Sequence, residues 1–220
     1  MKKLIVALLL FSGSLFAQET RNLGDFSTVK VFDQIHVLMV KSNENKIVIS
    51  GHDSQDVEVV NKKDEVKIRM KFSKLLQGDD ISVTLYYKYV DQVEASEGAY
   101  VSSEDNFKAV AFELNAKEGA QIKLNLDVDK LKSKIKSGAI LTINGRASNH
   151  DVSINSGGIL NSKDLNTAQT SVSITAGGEA DVFATDFVDA KTTGGGDIDI
   201  YGDPKQVNKT NNIGGNINVM

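Results

Sequence analysis

Seven short phrases, each centred on a glycine, recur down the second half of this chain at a nearly fixed interval. They are "ASEGAYV" around Gly98, "AKEGAQI" around Gly119, "IKSGAIL" around Gly138, "INSGGIL" around Gly157, "ITAGGEA" around Gly177, "TTGGGDI" around Gly195 and "NIGGNI" around Gly214. Their spacings are 21, 19, 19, 20, 18 and 19 residues. Self-similarity at such a period marks a solenoid, in which each repeat covers its neighbour's apolar face.

The flanking residues set the register. Five and three residues before the glycines stand Val93/Ala95, Leu114/Ala116, Ser133/Ile135, Val152/Ile154, Val172/Ile174 and Ala190/Thr192. Three and five residues after them stand Val101/Ser103, Ile122/Leu124, Leu141/Ile143, Leu160/Ser162, Ala180/Val182, Ile198/Ile200 and Ile217/Val219. Most of these are apolar or small, and the residues between them are mainly Ser, Thr, Lys, Asn and Asp. Such period-2 alternation predicts two strands per repeat, joined by a small-residue corner. The chain must turn at the same place in every rung, and a corner that needs φ > 0 suits glycine. Small neighbours let corners stack at the ~4.8 Å strand spacing. No 3.6-residue apolar pattern of useful length appears, which counts against a helical solenoid. The last repeat is polar upstream, "QVNKTNN". That fits a terminal rung whose edge is covered by polar side chains or by another subunit.

Residues 26–87 alternate as well, in "FSTVKV", "QIHVLMV", "KIVIS", "DVEVV", "EVKIRMKF" and "ISVTLYY", with turn-like clusters between them. Two arrangements fit: opening turns of the same coil, or an antiparallel sheet capping its first rung. No Pro/Ser-rich linker interrupts the chain near residue 90. One β-solenoid domain is therefore expected over residues 18–220, with a strand-rich opening section over 18–91 and glycine-cornered rungs over 92–220.

The chain opens "MKKLIVALLLFSGSLFAQ", two lysines ahead of an apolar run that ends in the small residue Ala17. This pattern predicts a signal peptide over residues 1–17. The run is too short to span a bilayer comfortably, so no integral membrane span is expected after cleavage. The absence of cysteine removes a lipid-anchoring thioether, disulfides, thiolate nucleophiles and cysteine metal sites. Two of the 25 basic residues precede the cleavage point, leaving 23 against 29 acids and a net charge of −6. An acidic surface argues against nucleic acid and anionic lipid as partners, since both are bound by neutralising phosphates. Tryptophan is absent and aromatics are few, which counts against, without excluding, a pocket that stacks a sugar.

The signal peptide, the opening "DFSTVKVFDQIHVLMV", the strands leading to "VDQVEASEGAYV" and the glycine rungs ending in "IGGNINV" together resemble the putative autotransporter adhesin head GIN domain family. The resemblance spans essentially the whole chain after the leader. It implies an all-β, right-handed parallel β-helix-like fold, an exported location (periplasm, outer-membrane surface or extracellular) and an adhesive or binding role. It carries no assigned functional residues.

The same register bears on catalytic and metal-binding chemistry. "TGGGDIDIYGD" offers Asp197, Asp199 and Asp203 to a calcium ion, but calcium-binding β-rolls repeat every nine residues and alternation turns Asp197 and Asp199 to solvent. The three arginines Arg21, Arg69 and Arg146 are scattered. Glu97, Glu118, Asp151, Asp164, Glu179 and Asp181 do not gather at one position of adjacent rungs, beyond the corner pair Glu97 and Glu118. His36, His52 and His150 form no metal spacing and read as surface or turn residues. No catalytic residues, cofactor or metal are therefore expected. The expected partner is a surface protein or polysaccharide, with self-association into a homo-oligomer as the second reading and a polysaccharide-active enzyme as a distant third.

Overall fold

The computed structural model describes residues 19–220; the leader expected over residues 1–17 lies outside them. The protein is 66% strand and 3% helical, coiled into a β-solenoid of about 7 turns of roughly 19 residues. Three long strands, Tyr100–Ala116, Gln121–Lys136 and Ile140–Asn155, stack in parallel. Later rungs divide into Gly158–Asn161 with Leu165–Thr175, Gly178–Phe183 with Phe187–Thr193, and Asp197–Tyr201 with Gln206–Asn212, before Asn216–Val219. Ile135 lies opposite Ile154, and Ile154 opposite Ile174, so the alternation read from the sequence places like beside like up the coil.

Every inward pair from Val93/Ala95 to Ala190/Thr192, and from Val101/Ser103 to Ile198/Ile200, is buried. Together they build one continuous apolar column. Polar members of the column are paired inside it. Ser103 Oγ donates to the Met39 carbonyl at 2.7 Å, and Ser162 Oγ to that of Asp181 at 2.7 Å. Between rungs, half-exposed ion pairs such as Lys30–Glu65 at 2.7 Å and Lys134–Glu113 at 2.9 Å follow the same register. Pairs of this kind contribute about 0–1 kcal/mol each.

All seven corner glycines have positive φ, from 71° at Gly138 to 91° at Gly195. The residue before most of them is left-handed too, as at Glu118 (56°) and Ser156 (53°). Corner amides bond the next rung: Gly119 N–H donates to the Ser137 carbonyl at 3.1 Å and Gly157 N–H to that of Gly177 at 3.1 Å. The double glycines separate two requirements. A Cβ on Gly157 would meet nothing within 4 Å, so only its φ of +77° demands glycine there. A Cβ on Gly158 would fall 2.7 Å from Ile135 Cγ2 and 3.1 Å from the Ile135 backbone, so that glycine is required by space. In the earlier rungs the same position is a fully buried alanine, Ala99, Ala120 or Ala139.

The opening section combines both arrangements expected for it. Thr28–Val31 and His36–Lys41 form a rung whose corner, Asp33 and Gln34, is left-handed without glycine. This rung is sandwiched. Thr28–Val31 pairs in parallel with both Glu65–Met70 and Gln92–Ala95, while His36–Lys41 pairs with both Ser82–Tyr87 and the start of Tyr100–Ala116. The chain thus leaves its first rung, builds the outer one, and returns past it. Antiparallel strands Lys46–Ser50, Glu19–Asn22 and Val57–Lys62 cover the outer rung. The buried Asp33 anchors the crossing, accepting hydrogen bonds from the Met70 amide at 2.9 Å and the Leu76 amide at 3.0 Å.

At the other end Lys209 and Asn211 occupy the positions opposite Ala190 and Thr192. Both are exposed; Lys209 Nζ donates to the Ile217 carbonyl at 2.9 Å, and Asn211 Nδ2 to that of Gly215. Polar side chains in core register make this rung a cap.

Candidate binding cleft

The 21-residue spacing between Gly98 and Gly119 marks the place where the coil departs from its own period. Ser102 pairs with Lys123, yet the next matched pair is Asn106 with Asn125. Two extra residues are therefore accommodated among Ser103, Glu104 and Asp105, forming a bulge. Bulges re-aim side chains and concentrate beside functional sites. This one holds its shape through local bonds: the Asp105 amide donates to Ser103 Oγ at 3.2 Å, and Asp105 Oδ2 accepts from the Lys41 amide at 2.5 Å.

Beside the bulge lies a cleft of about 200 Å³, lined by Lys41, Tyr87, Tyr89, Val90, Asp105, Asn106, Phe107 and Lys108. Two of the five tyrosines, Tyr87 and Tyr89, line it, whereas Tyr86 lies under Lys46 and Tyr100 packs against His36. Tyr87 stacks on Phe107 with centroids 5.0 Å apart and planes 3° from parallel, and Phe107 meets Phe112 edge-on at 5.6 Å. One rung on, Leu126 and Leu131 replace these phenylalanines; the next has Gly145 and His150. The core is thus aromatic beneath the cleft and loses its rings beyond it. Tyr89 is 47% exposed. Its hydroxyl donates to Asp91 Oδ2 at 3.2 Å.

Tyr87 is 2% exposed and its hydroxyl makes no hydrogen bond of normal geometry; Ser103 lies beside it but donates to the Met39 carbonyl. The Tyr87 hydroxyl is the one buried side-chain polar atom so placed among the described residues. Burial, reinforced by the Asp105 charge, pushes its pKa up, so the phenol stays protonated and keeps a donor available. Lys41 Nζ lies 5.3 Å from the Tyr87 ring centroid and donates to the Lys88 carbonyl. Lys108 faces Asp127 across 3.8 Å. Asp127 is also held by Arg146, so the rim carries charge of both signs, Lys41 and Lys108 beside Asp105.

The residues singled out in the sequence lie elsewhere. Asp197 and Asp199 face outward, their Oδ1 atoms accepting from Asn216 at 2.7 Å and Asn218 at 2.9 Å, and Asp203 is exposed. Among the described residues no group of three or more His, Asp or Glu side chains is arranged to hold a metal ion. The arginines pair locally, Arg21 with Glu19, Arg69 with Glu58 and Arg146 with Asp127. At the stacked corners Glu118 is exposed, whereas Glu97 is half-buried, and burial with the neighbouring Asp33 and Glu118 charges raises its pKa.

His36 and His52 are exposed, but His150 is not the surface residue expected. It is 1% exposed, its Nε2 shares a 2.9 Å hydrogen bond with Ser133 Oγ, and burial pushes its pKa down to about 3. The register itself carried this signal, since His150 stands two residues before inward Val152. The cleft was missed for a comparable reason. Its one signal in the sequence is the longer first spacing, which inserts residues with a surface of their own.

A second exposed apolar surface is the tip of the connection after Glu65–Met70, where Phe72 is 89% exposed and Leu75 and Leu76 about half. The adjacent Lys71 and Lys74 are paired with Asp56 at 3.0 Å and Asp53 at 3.5 Å. No described helix is long and apolar enough to cross a membrane.

A family profile described as "Putative auto-transporter adhesin, head GIN domain" matches residues 25–204. No curated protein matches the chain. Among solved structures, a putative adhesin from Bacteroides fragilis is 15% identical with a TM-score of 0.86, covering 94% of this chain and 98% of that one. A putative adhesin from Parabacteroides merdae is 20% identical with a TM-score of 0.78, covering 94% and 97%. A protein described as a putative lipid binding protein, from Parabacteroides distasonis, is 16% identical with a TM-score of 0.69, covering 92% and 96%. At these identities the likeness is one of fold.

Proposed function

The chain belongs to the putative auto-transporter adhesin head GIN domain family, and from that premise we propose that it is an exported, non-enzymatic binding module of the cell envelope or surface. The observation that carries this reading is the bulge at Ser103–Asp105 and the aromatic cleft beside it. A regular β-solenoid offers flat faces of small polar residues. This one departs from regularity where an exposed tyrosine, a buried tyrosine without a hydrogen-bond partner, a carboxylate, an amide and two ammonium groups converge. Three other concavities, of about 370–520 Å³, are roomier, but this one lies beside the bulge, where aromatic and polar groups converge as ligand sites require. The partner is a surface protein or polysaccharide met outside the cytoplasm.

An array of glycans and envelope proteins probed with the purified protein tests the reading. Retained ligands whose signal drops on Tyr89→Ala support it; cleavage of a polysaccharide by the protein would overturn it.

Self-association is the second reading. Among the described residues the strand Val57–Lys62 pairs on one side only, and its Val60 is 42% exposed. That edge is a template for another chain. Light scattering separates the readings: a monomer at high concentration favours the ligand-binding one, and a concentration-dependent mass favours the other.

A further inference from the structure

We propose that the cleft takes one neutral sugar residue, the end or a branch of a glycan, with Tyr89 as its stacking surface. This rests on the binding-module reading above and names the chemical class of its ligand.

Size comes first. At about 200 Å³ the cleft is smaller than the about 300–1,000 Å³ of pockets that enclose drug-sized ligands, so it suits a single ring. The chemistry of the lining narrows the class. Every sugar hydroxyl both donates and accepts, and a pyranose presents a face of C–H groups beside a rim of hydroxyls. Asp105 Oδ1 and the Asn106 carbonyl offer acceptors, while the Asn106 amide and the lysines offer donors. The Tyr89 ring, 47% exposed, offers an apolar face.

Charge argues for neutrality. A phosphate or carboxylate entering the cleft meets Asp105. A cation meets Lys41 and Lys108. A neutral polyol meets neither obstacle.

The Tyr87 hydroxyl is the second, independent pointer. A buried donor without a partner is costly, about 1–3 kcal/mol, and calls for an explanation. The exposed Lys41 side chain lies over the Tyr87 ring. In the proposed complex a sugar hydroxyl displaces Lys41 from its place over the ring and supplies the missing partner. The bulge keeps Asp105 fixed while this happens, through its bonds to Ser103 and the Lys41 backbone.

The test is saturation-transfer NMR of the purified protein with methyl glycosides of glucose, galactose, mannose and N-acetylglucosamine. Glucuronate and tyrosine amide serve as comparison probes, and inorganic phosphate, which has no carbon-bound protons to saturate, is tested as a competitor of the bound glycoside. The expected result is transfer to at least one neutral glycoside, strongest on one C–H face. Tyr89→Ala, at an exposed position, should weaken it about tenfold, the equivalent of one aromatic contact. Tyr87→Phe should also weaken it while leaving the melting temperature unchanged or higher, because the hydroxyl it removes has no partner in the free protein. Binding of glucuronate or phosphate in preference to the glycosides overturns the inference, as does glycoside binding that both variants leave intact. If no glycoside binds but array ligands are still lost on Tyr89→Ala, the sugar assignment falls and the binding-module reading stands. If neither assay detects a ligand, both fall.

Discussion

Ser133 Oγ and His150 Nε2 lie 2.9 Å apart on adjacent rungs, sealed from water at 0% and 1% exposure, in a column built mainly from aliphatic and aromatic side chains. The imidazole is held neutral there, its pKa pushed down to about 3 by burial. The unfolded chain binds a proton at His150 below its ordinary value near 6.5, and the folded protein does not until about pH 3. Stability is therefore fully present above pH 6.5 and is lost progressively as pH falls through that window.

By pH 4.5 this one residue should cost about 3 kcal/mol, two pH units at 1.36 kcal/mol each. Glu97, whose pKa is raised, acts in the opposite sense as it protonates. Chemical denaturation between pH 7 and 4.5 should show the loss. The double variant His150→Leu/Ser133→Ala, which leaves neither partner stranded, should flatten the profile. A wild-type profile that is already flat would contradict the burial assigned to His150.

Neighbouring glycines at the Gly157 corner should respond differently to asparagine. Asparagine tolerates left-handed backbone, so Gly157→Asn should cost less than Gly157→Val, with open space around either side chain. At Gly158 any Cβ meets Ile135, and asparagine should offer no relief over alanine. Melting temperatures of the four variants check this; rescue by asparagine at Gly158 would contradict the steric account.

Ile213 is β-branched, 87% exposed and left-handed at φ +59°. A left-handed conformation costs most residues about 1–2 kcal/mol, and β-branched ones are the outliers. Ile213→Asn should slow hydrogen exchange in Gln206–Asn212 and Asn216–Val219. Faster exchange there would show that Ile213 stabilises the rung by a contact absent from this structure.

Lys209 and Asn211 hold polar side chains in core register. Lys209→Val/Asn211→Val restores the inward pattern of the preceding rungs and should convert the cap into an adhesive end. Light scattering should then report end-to-end association that rises with concentration. A variant as monodisperse as the wild type would mean that capping lies in the backbone rather than in these two side chains.

Much of the coil was legible because its causes are local and periodic. Val152, Ile154, Val172 and Ile174 point inward because side chains alternate along strands, and the glycines recur because the corner does. The opening section resisted because its order is not sequential. Nothing local in "DFSTVKVFDQIHVLMV" says that this rung will lie between Glu65–Met70 and Gln92–Ala95. Its corner also lacks glycine, using Asp33 and Gln34, which breaks the pattern that identified the others. The cleft was hidden for a third reason. Tyr87 and Asp105 are eighteen residues apart and meet only because the inserted residues leave the ladder, an event visible beforehand only as a spacing of 21 where 19 was usual.

That spacing allows the most direct test. Deleting Glu104 and Asp105 gives the Gly98–Gly119 repeat the 19-residue period and sets Ser103 opposite Leu124, in core register. If the bulge exists to build a ligand site, the shortened protein folds with unchanged or higher thermal stability and loses its array ligands. Full binding by the shortened, folded protein would contradict the account.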